Sequence, residues 1–216
     1  MNLSVNRTDR VAFFGRTGSG KTTLAKSMLH SCNHPYAVLD PKHRYRDGDV
    51  PIKDHFVKKL PEQIIRCEPI GWPAELELWN NAIYEIWKEG DRIIYVDEAT
   101  LITPPRAILP ELGRAIRTGR ERNVAVWTGS QRPKDLPSPI FTEAEHFFLF
   151  RLQWENDRAK VCSFTSASLW NPYKRMQHEG RSAKHDFIYY GVDDDRMLRV
   201  RATRELEKDN SPAQAA

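Results

Sequence analysis

Val11-Ala12-Phe13-Phe14-Gly15-Arg16-Thr17-Gly18-Ser19-Gly20-Lys21-Thr22-Thr23-Leu24-Ala25-Lys26-Ser27-Met28-Leu29 decides how the whole chain is read. Gly15 to Thr22 match G-x-x-x-x-G-K-[ST], a loop whose glycines let backbone N–H groups close around a polyphosphate. In such a loop Lys21 reaches the β- and γ-phosphates and the Thr22 hydroxyl ligates Mg²⁺. The flanks agree. Four apolar residues lead in as a short strand, and Thr22 to Leu29 reads as a helix whose N-terminus faces the phosphates. Gly15, Arg16, Thr17, Gly18, Ser19, Gly20, Lys21, Thr22 and Thr23 are therefore the predicted nucleotide-binding residues, with ATP and Mg²⁺ as the predicted cofactors.

The chain has 216 residues, enough for one α/β domain with a full core. We expect a single domain over 1–208, with a core at about 8–155, a β-rich extension at about 156–208 and a disordered tail at 209–216. Lys and Arg number 33 against 29 Asp and Glu, a net charge of +4, which permits a polyanionic partner without demanding one. Three scattered cysteines, Cys32, Cys67 and Cys162, form no disulfide framework or zinc pattern and fit a reducing, cytoplasmic setting. Apolar runs reach only about four residues, so no direct membrane insertion is expected. Met1 to Arg7 lack the apolar stretch of a secretory leader.

Further strands are predicted at Tyr36–Leu39, Ile64–Cys67, Ile93–Val96, Val124–Thr128 and His146–Leu152. Helices are predicted at Pro73–Lys88 and at about Ala107–Thr118, the second preceded by a loop broken at Pro104-Pro105. Residues 43 to 62 and 171 to 184 read as irregular, and Phe187–Tyr190 with Met197–Val200 as a hairpin around an acidic turn. Alternating strands and helices through residue 152 predict a mainly parallel sheet flanked by helices, with the nucleotide beyond the carboxyl ends of its strands.

A second signature is Ile93-Ile94-Tyr95-Val96-Asp97-Glu98. An acid closing a buried strand can meet the Mg²⁺ held by Thr22, which assigns Asp97 to the metal. Glu98, its neighbour, can polarise a water for in-line attack on the γ-phosphate. Such a water-activating glutamate favours hydrolysis over transfer to an acceptor. At the end of the next strand, Gln131 is placed to touch both the water and the γ-phosphate. Between them lies an arginine-rich stretch, Arg114-Ala115-Ile116-Arg117-Thr118-Gly119-Arg120-Glu121-Arg122. An arginine delivered to the developing charge accelerates nucleotide hydrolysis by about 10³–10⁵. Arg120 and then Arg122 are the candidates, supplied by a neighbouring subunit, whereas Arg117 is a structural or DNA-touching residue. A solvated basic helix end is the plainer account of the same arginines.

With these residues assembled, the chain resembles the FtsK–HerA superfamily of P-loop NTPases (RecA-like, ASCE), which form rings that pump DNA. The resemblance covers roughly residues 8 to 155. It rests on the Gly15–Thr22 loop, Val38-Leu39-Asp40-Pro41-Lys42, the Tyr95-Val96-Asp97-Glu98 box, Gly119-Arg120 and Ser130-Gln131-Arg132-Pro133. Within that superfamily it looks most like the small genome-packaging ATPases of internal-membrane viruses, which are little more than the motor. The resemblance implies a homo-oligomeric ring, sequence-independent double-stranded DNA as cargo and a capsid or portal-vertex protein as dock. It also implies that the Gln131 strand separates the phosphate-loop strand from the Asp97-Glu98 strand.

Duplex translocation needs Lys and Arg on phosphates. Two basic stretches qualify. One spans residues 174 to 204, including Lys174, Arg175, Arg181, Lys184, Arg196, Arg199, Arg201 and Arg204; its Asn171–Lys184 part is a pore loop or a solvated connector. The other is the loop with Lys42, His43, Arg44, Arg46, Lys53, Lys58 and Lys59. A P-loop small-molecule kinase and a non-motor nucleotide-dependent assembly factor remain the alternative functions.

Overall fold

The computed structural model describes residues 5–46, 50–68, 71, 73–103, 107–166, 169–179 and 184–201. The Pro104-Pro105 break, Arg181, Arg204 and the tail expected at 209–216 lie outside them. Nine strands form one sheet: β1 (Val11–Phe14), β2 (Tyr36–Leu39), β3 (Ile52–Lys53), β4 (Glu62–Ile65), β5 (Arg92–Asp97), β6 (Val124–Ser130), β7 (His146–Phe150), β8 (Phe187–Gly191) and β9 (Arg196–Val200). Their order is β3-β4-β2-β5-β6-β1-β7-β8-β9. Pairing is parallel from β3 through β7, and β8 and β9 add an antiparallel hairpin at one edge. β6 lies between β1 and β5, as the resemblance implied.

The central strands are buried at every step, as expected where both faces of the sheet are covered. On one face Val11, Phe13, Val38, Tyr95 and Trp127 pack with Ala25 and Leu29 of α1 (Lys21–Ser31). On the other, Ala12, Phe14, Val96 and Val126 meet α2 (Ala74–Glu89), α3 (Pro110–Thr118), α4 (Pro139–Thr142), α5 (Glu155–Cys162) and α6 (Trp170–His178). α2 buries Trp79, Ala82, Ile83 and Ile86, a stripe at helical spacing, and Gly90 ends the helix at φ 81°.

Several expected boundaries move. α3 starts at Pro110 rather than about Ala107, because Leu109 precedes a proline and is held extended at φ −55°, ψ 133°. β4 begins two residues before Ile64. Its buried Gln63 exchanges hydrogen bonds with the Val57 backbone (2.8 and 2.9 Å), so a polar residue sits inside a strand. The irregular 43–62 segment contains β3, paired parallel to β4. β6 runs two residues past Thr128, Phe14 pairing with Ser130, whereas β7 stops at Phe150, two residues before the expected Leu152. Asn171–Lys184 is not irregular throughout: residues up to His178 belong to α6, which buries Tyr173 and Met176. Pro172 falls in its first turn, where a missing N–H breaks no helical bond. The helix α5 has no counterpart among the sequence expectations.

Candidate nucleotide site

The phosphate loop leaves β1 at Phe14 and enters α1 at Lys21. Gly18 (φ 70°) and Gly20 (φ 104°) adopt backbone angles that side chains resist, which lets the chain turn back on itself. Gly15 is needed for a different reason. A methyl group there would lie 2.4 Å from Phe150 Cβ, so the loop crosses β7 without room for any side chain. Its N–H donates to Ser130 O (3.1 Å), and the Arg16 N–H donates to Arg151 O (2.9 Å), tying the loop to the strands on both sides.

Lys21 is buried, and its ammonium donates to Gly15 O (2.7 Å) and Arg16 O (3.2 Å). Burial pulls its pKa down to about 8, against the opposing pull of Glu98 and Asp97. The Thr22 hydroxyl donates to Asp97 Oδ1 (3.0 Å), so the two predicted metal ligands meet although 75 positions apart in sequence. Tyr95 OH also donates to Asp97 Oδ1 (3.0 Å). Burial raises the Asp97 pKa despite these donors and Lys21. A buried carboxylate beside a hydroxyl, both hard oxygen donors, suits Mg²⁺, whose charge would offset the desolvation that burdens Asp97. Thr22 and Asp97 therefore fit the group.

Glu98 is buried and held at φ 86°, ψ 72°, a left-handed conformation costly for a non-glycine residue. Four donors fix it. Gln131 N–H (2.9 Å), the Thr100 hydroxyl (2.9 Å) and the Ser130 hydroxyl (3.1 Å) reach Oε1, and the Lys42 ammonium reaches Oε2 at 2.7 Å. Burial alone would raise its pKa. The Lys42 and Gln131 hydrogen bonds, with the Lys42 charge, reverse that and hold the carboxyl below its usual range. Gln131 Oε1 accepts from the Thr17 hydroxyl, so the strand that restrains Glu98 also touches the phosphate loop.

Lys42, one of the candidate DNA contacts read from sequence, places its ammonium on Glu98. Asp40 explains this placement. Fully buried, it accepts from the Arg44 N–H (3.0 Å), Tyr45 N–H (3.1 Å) and Arg66 Nε (2.9 Å), and folds the residues after β2 into a tight turn. The sequence reading used Asp40-Pro41-Lys42 only for the family resemblance and for a DNA-contact candidate, and gave Asp40 no role of its own. No local signal placed β2 beside β5; their parallel pairing is what brings the two carboxyl ends together. His185 was also missed: its Nδ1 lies 3.3 Å from Ser19 O, so the β8 approach borders the loop.

Arg120 and Arg122 do not join this cluster. Both precede β6, at the amino end of the sheet. Arg120 pairs with Glu145, and the Arg122 guanidinium stacks 4.3 Å from the Trp87 ring and donates to Lys88 O (3.2 Å). The seven residues of β6, at about 3.3 Å each, set them ~20 Å from the phosphate end. Among the remaining basic candidates, Arg199 is engaged by Glu179 and Asp186, and Lys58 pairs with Glu89 at 2.7 Å.

No protein-family model matches this sequence, and no curated protein is significantly similar to it. Solved structures do share its fold. The genome packaging NTPase B204 from Sulfolobus turreted icosahedral virus 2, in complex with sulfate, superposes with a TM-score of 0.71 at 16% identity. The alignment covers 93% of this chain and 100% of that one. The same protein with ATP-gammaS gives 0.70 at 17% identity, covering 91% and 98%. VirB4 of Thermoanaerobacter pseudethanolicus gives 0.63 at 9% identity, covering 92% and 90%. At these identities the likeness establishes the P-loop NTPase fold. No helix among the described residues is long and apolar enough to cross a membrane.

Proposed function

We propose that this protein is a Mg²⁺-dependent ATPase that moves double-stranded DNA as a homo-oligomeric ring. Its task is packaging a viral genome into a preformed capsid, in the host cytoplasm at a portal vertex. The observation that carries the chemistry is the convergence of Lys21, Thr22, Asp97, Glu98 and Gln131 at the carboxyl ends of three adjacent strands. The cargo is argued from the fold shared with a genome packaging NTPase that matches nearly the whole chain.

In this reading Gly18 to Thr22 grip the polyphosphate with backbone N–H groups, and Lys21 turns from the loop carbonyls to the β/γ oxygens. Thr22 and Asp97 hold Mg²⁺, which supplies charge neutralisation on the phosphates. Glu98 accepts a proton from water as the water oxygen bonds to the γ-phosphorus, and the bond to the β-bridging oxygen breaks to give ADP and phosphate. Thr17 and Gln131 link the state of the loop to the strand that fixes Glu98. Arg120, with Arg122 as second choice, completes the site of a neighbouring subunit.

The deciding experiment is ATP turnover measured with and without long duplex DNA, alongside duplex affinity over a range of salt. The reading expects stimulation by DNA and affinity that ignores sequence and falls steeply with salt. Equal turnover in both arms with a flat salt response would overturn the pump.

A further inference from the structure

Immediately beside the phosphate loop, on the face that carries α5 and α6, is a cavity of about 510 Å³. Among the described residues its charged lining is strongly one-signed: Arg16, Arg151, Arg158 and Lys174 against the carboxylate Glu155. None of Arg16, Arg158 and Lys174 is paired with a carboxylate among the described residues. Two of the guanidiniums are held in place by backbone carbonyls. Arg151 donates to Gln177 O (3.0 Å), and Arg158 donates to Leu152 O (3.2 Å) and Gln153 O (3.3 Å). Lys174 rests over the Trp170 ring, 4.5 Å from its centroid. Burial, and then the charge of Arg16, depress the Arg151 pKa. Anchored guanidiniums suit phosphate oxygens, which accept two N–H bonds side by side.

We propose that this pocket binds a backbone phosphate of the DNA duplex and that Arg16 relays its occupancy to the phosphate loop. The proposal rests on the DNA-motor reading and supplies a contact point for it. The relay is short. The Arg16 side chain lines the pocket, and the Gly15–Arg16 peptide unit donates its N–H to Arg151 O while its carbonyl, Gly15 O, accepts from the Lys21 ammonium at 2.7 Å. A phosphate that draws Arg16 and Arg151 together shifts the same peptide that holds Lys21 back from the nucleotide. DNA engagement and ATP engagement then share one peptide unit. Sequence alone pointed to Lys174 as part of a loose basic stretch; α6 is what fixes it beside the phosphate loop.

Two variants test this. Lys174→Gln removes an exposed charge, and Arg158→Gln/Lys174→Gln removes two. Binding of a fluorescent 30-base-pair duplex is followed over a salt series, and binding of a fluorescent ATP analogue in parallel. Each lost phosphate contact should lower the slope of log affinity against log salt by about 0.9, or roughly tenfold in affinity near 0.1 M salt. ATP-analogue affinity should stay constant, and the ratio of DNA-stimulated to DNA-free turnover should fall. If Arg158→Gln perturbs folding, Lys174→Gln alone carries the test. Duplex binding with an unchanged slope in both variants overturns the pocket while leaving the motor standing. Weakened ATP-analogue binding instead assigns the pocket to the nucleotide and overturns the proposal. So does competition in which inorganic phosphate at equal charge displaces the duplex from both variants as readily as from wild type. Wild-type protein that binds no duplex at all overturns the motor reading itself.

Discussion

Glu98 combines two demands at the scale of a single side chain. As the proposed base it must stay ionised while buried, and it must face the γ-phosphate from a strained backbone. Its four donors meet the first demand. Glu98→Gln keeps the size and loses the basicity, so ATP binding should persist while turnover falls about 10²-fold or more; a wild-type rate would remove Glu98 from its assignment. Lys42 tunes the same group. Its ammonium favours the ionised carboxylate, so Lys42→Met raises the Glu98 pKa. Because the base works only when ionised, the acidic limb of the kcat–pH profile should move to higher pH, which a turnover profile from pH 5 to 9 would reveal. Lys21 titrates in the opposite sense. With its pKa depressed to about 8, it is increasingly neutral as pH rises past that value, whereas bound phosphates favour the charged form. ATP binding near pH 8 should therefore take up protons, and affinity should decline above it. Calorimetry in buffers of different ionisation enthalpy measures that uptake directly.

At the scale of elements, the site depends on where strands stop. β6 extends through Gly129 and Ser130, which carries the Gln131 N–H to Glu98, and β7 stops at Phe150, which frees Arg151 O for the phosphate loop. The loop itself is pressed against β7. Gly15→Ala should cost about 1–3 kcal/mol, since the added carbon meets the Cβ root of Phe150 rather than a flexible tip, and urea unfolding would report it. The phosphate loop was legible from sequence because it is a local pattern with a narrow physical reading, and the Asp97-Glu98 strand because that loop stands upstream of it; paired acids after a strand are otherwise ordinary helix caps. α6 was not, because its buried Tyr173 and Met176 are separated by polar residues and its proline looks like a breaker. Gln63 disguised the start of β4 in the same way. The tie from Lys42 to Glu98 escaped for another reason. It joins two strands that are adjacent in space but 56 residues apart, and no local pattern encodes which strand ends face each other.

For the whole molecule, the proposed arginine contribution requires two copies. Arg120→Ala subunits should bind ATP yet fail to hydrolyse it, and so should Glu98→Gln subunits. Mixed, they form some interfaces that pair an intact Glu98 with an intact Arg120, and turnover should partly return. Rate losses of about 10³ make that recovery measurable above background. Two inactive proteins that stay inactive at every ratio, despite proven co-assembly, would confine Arg120 to its pairing with Glu145 and move the assignment to Arg122.

The ~20 Å between the phosphate loop at one end of β6 and the arginines at the other also gives the subunit a polarity. In the proposed ring, giver and receiver are different surfaces at opposite ends of β6, so no twofold pairing of identical patches can satisfy both. Association of this kind is heterologous: each added copy leaves one donor and one acceptor unspent, and growth ends only if the rotation between neighbours closes on itself. A preparation diluted below closure should then show a ladder of open chains, with no special abundance of dimers. A variant that alters the rotation slightly should polymerise into helical filaments, visible by electron microscopy, rather than dissociate.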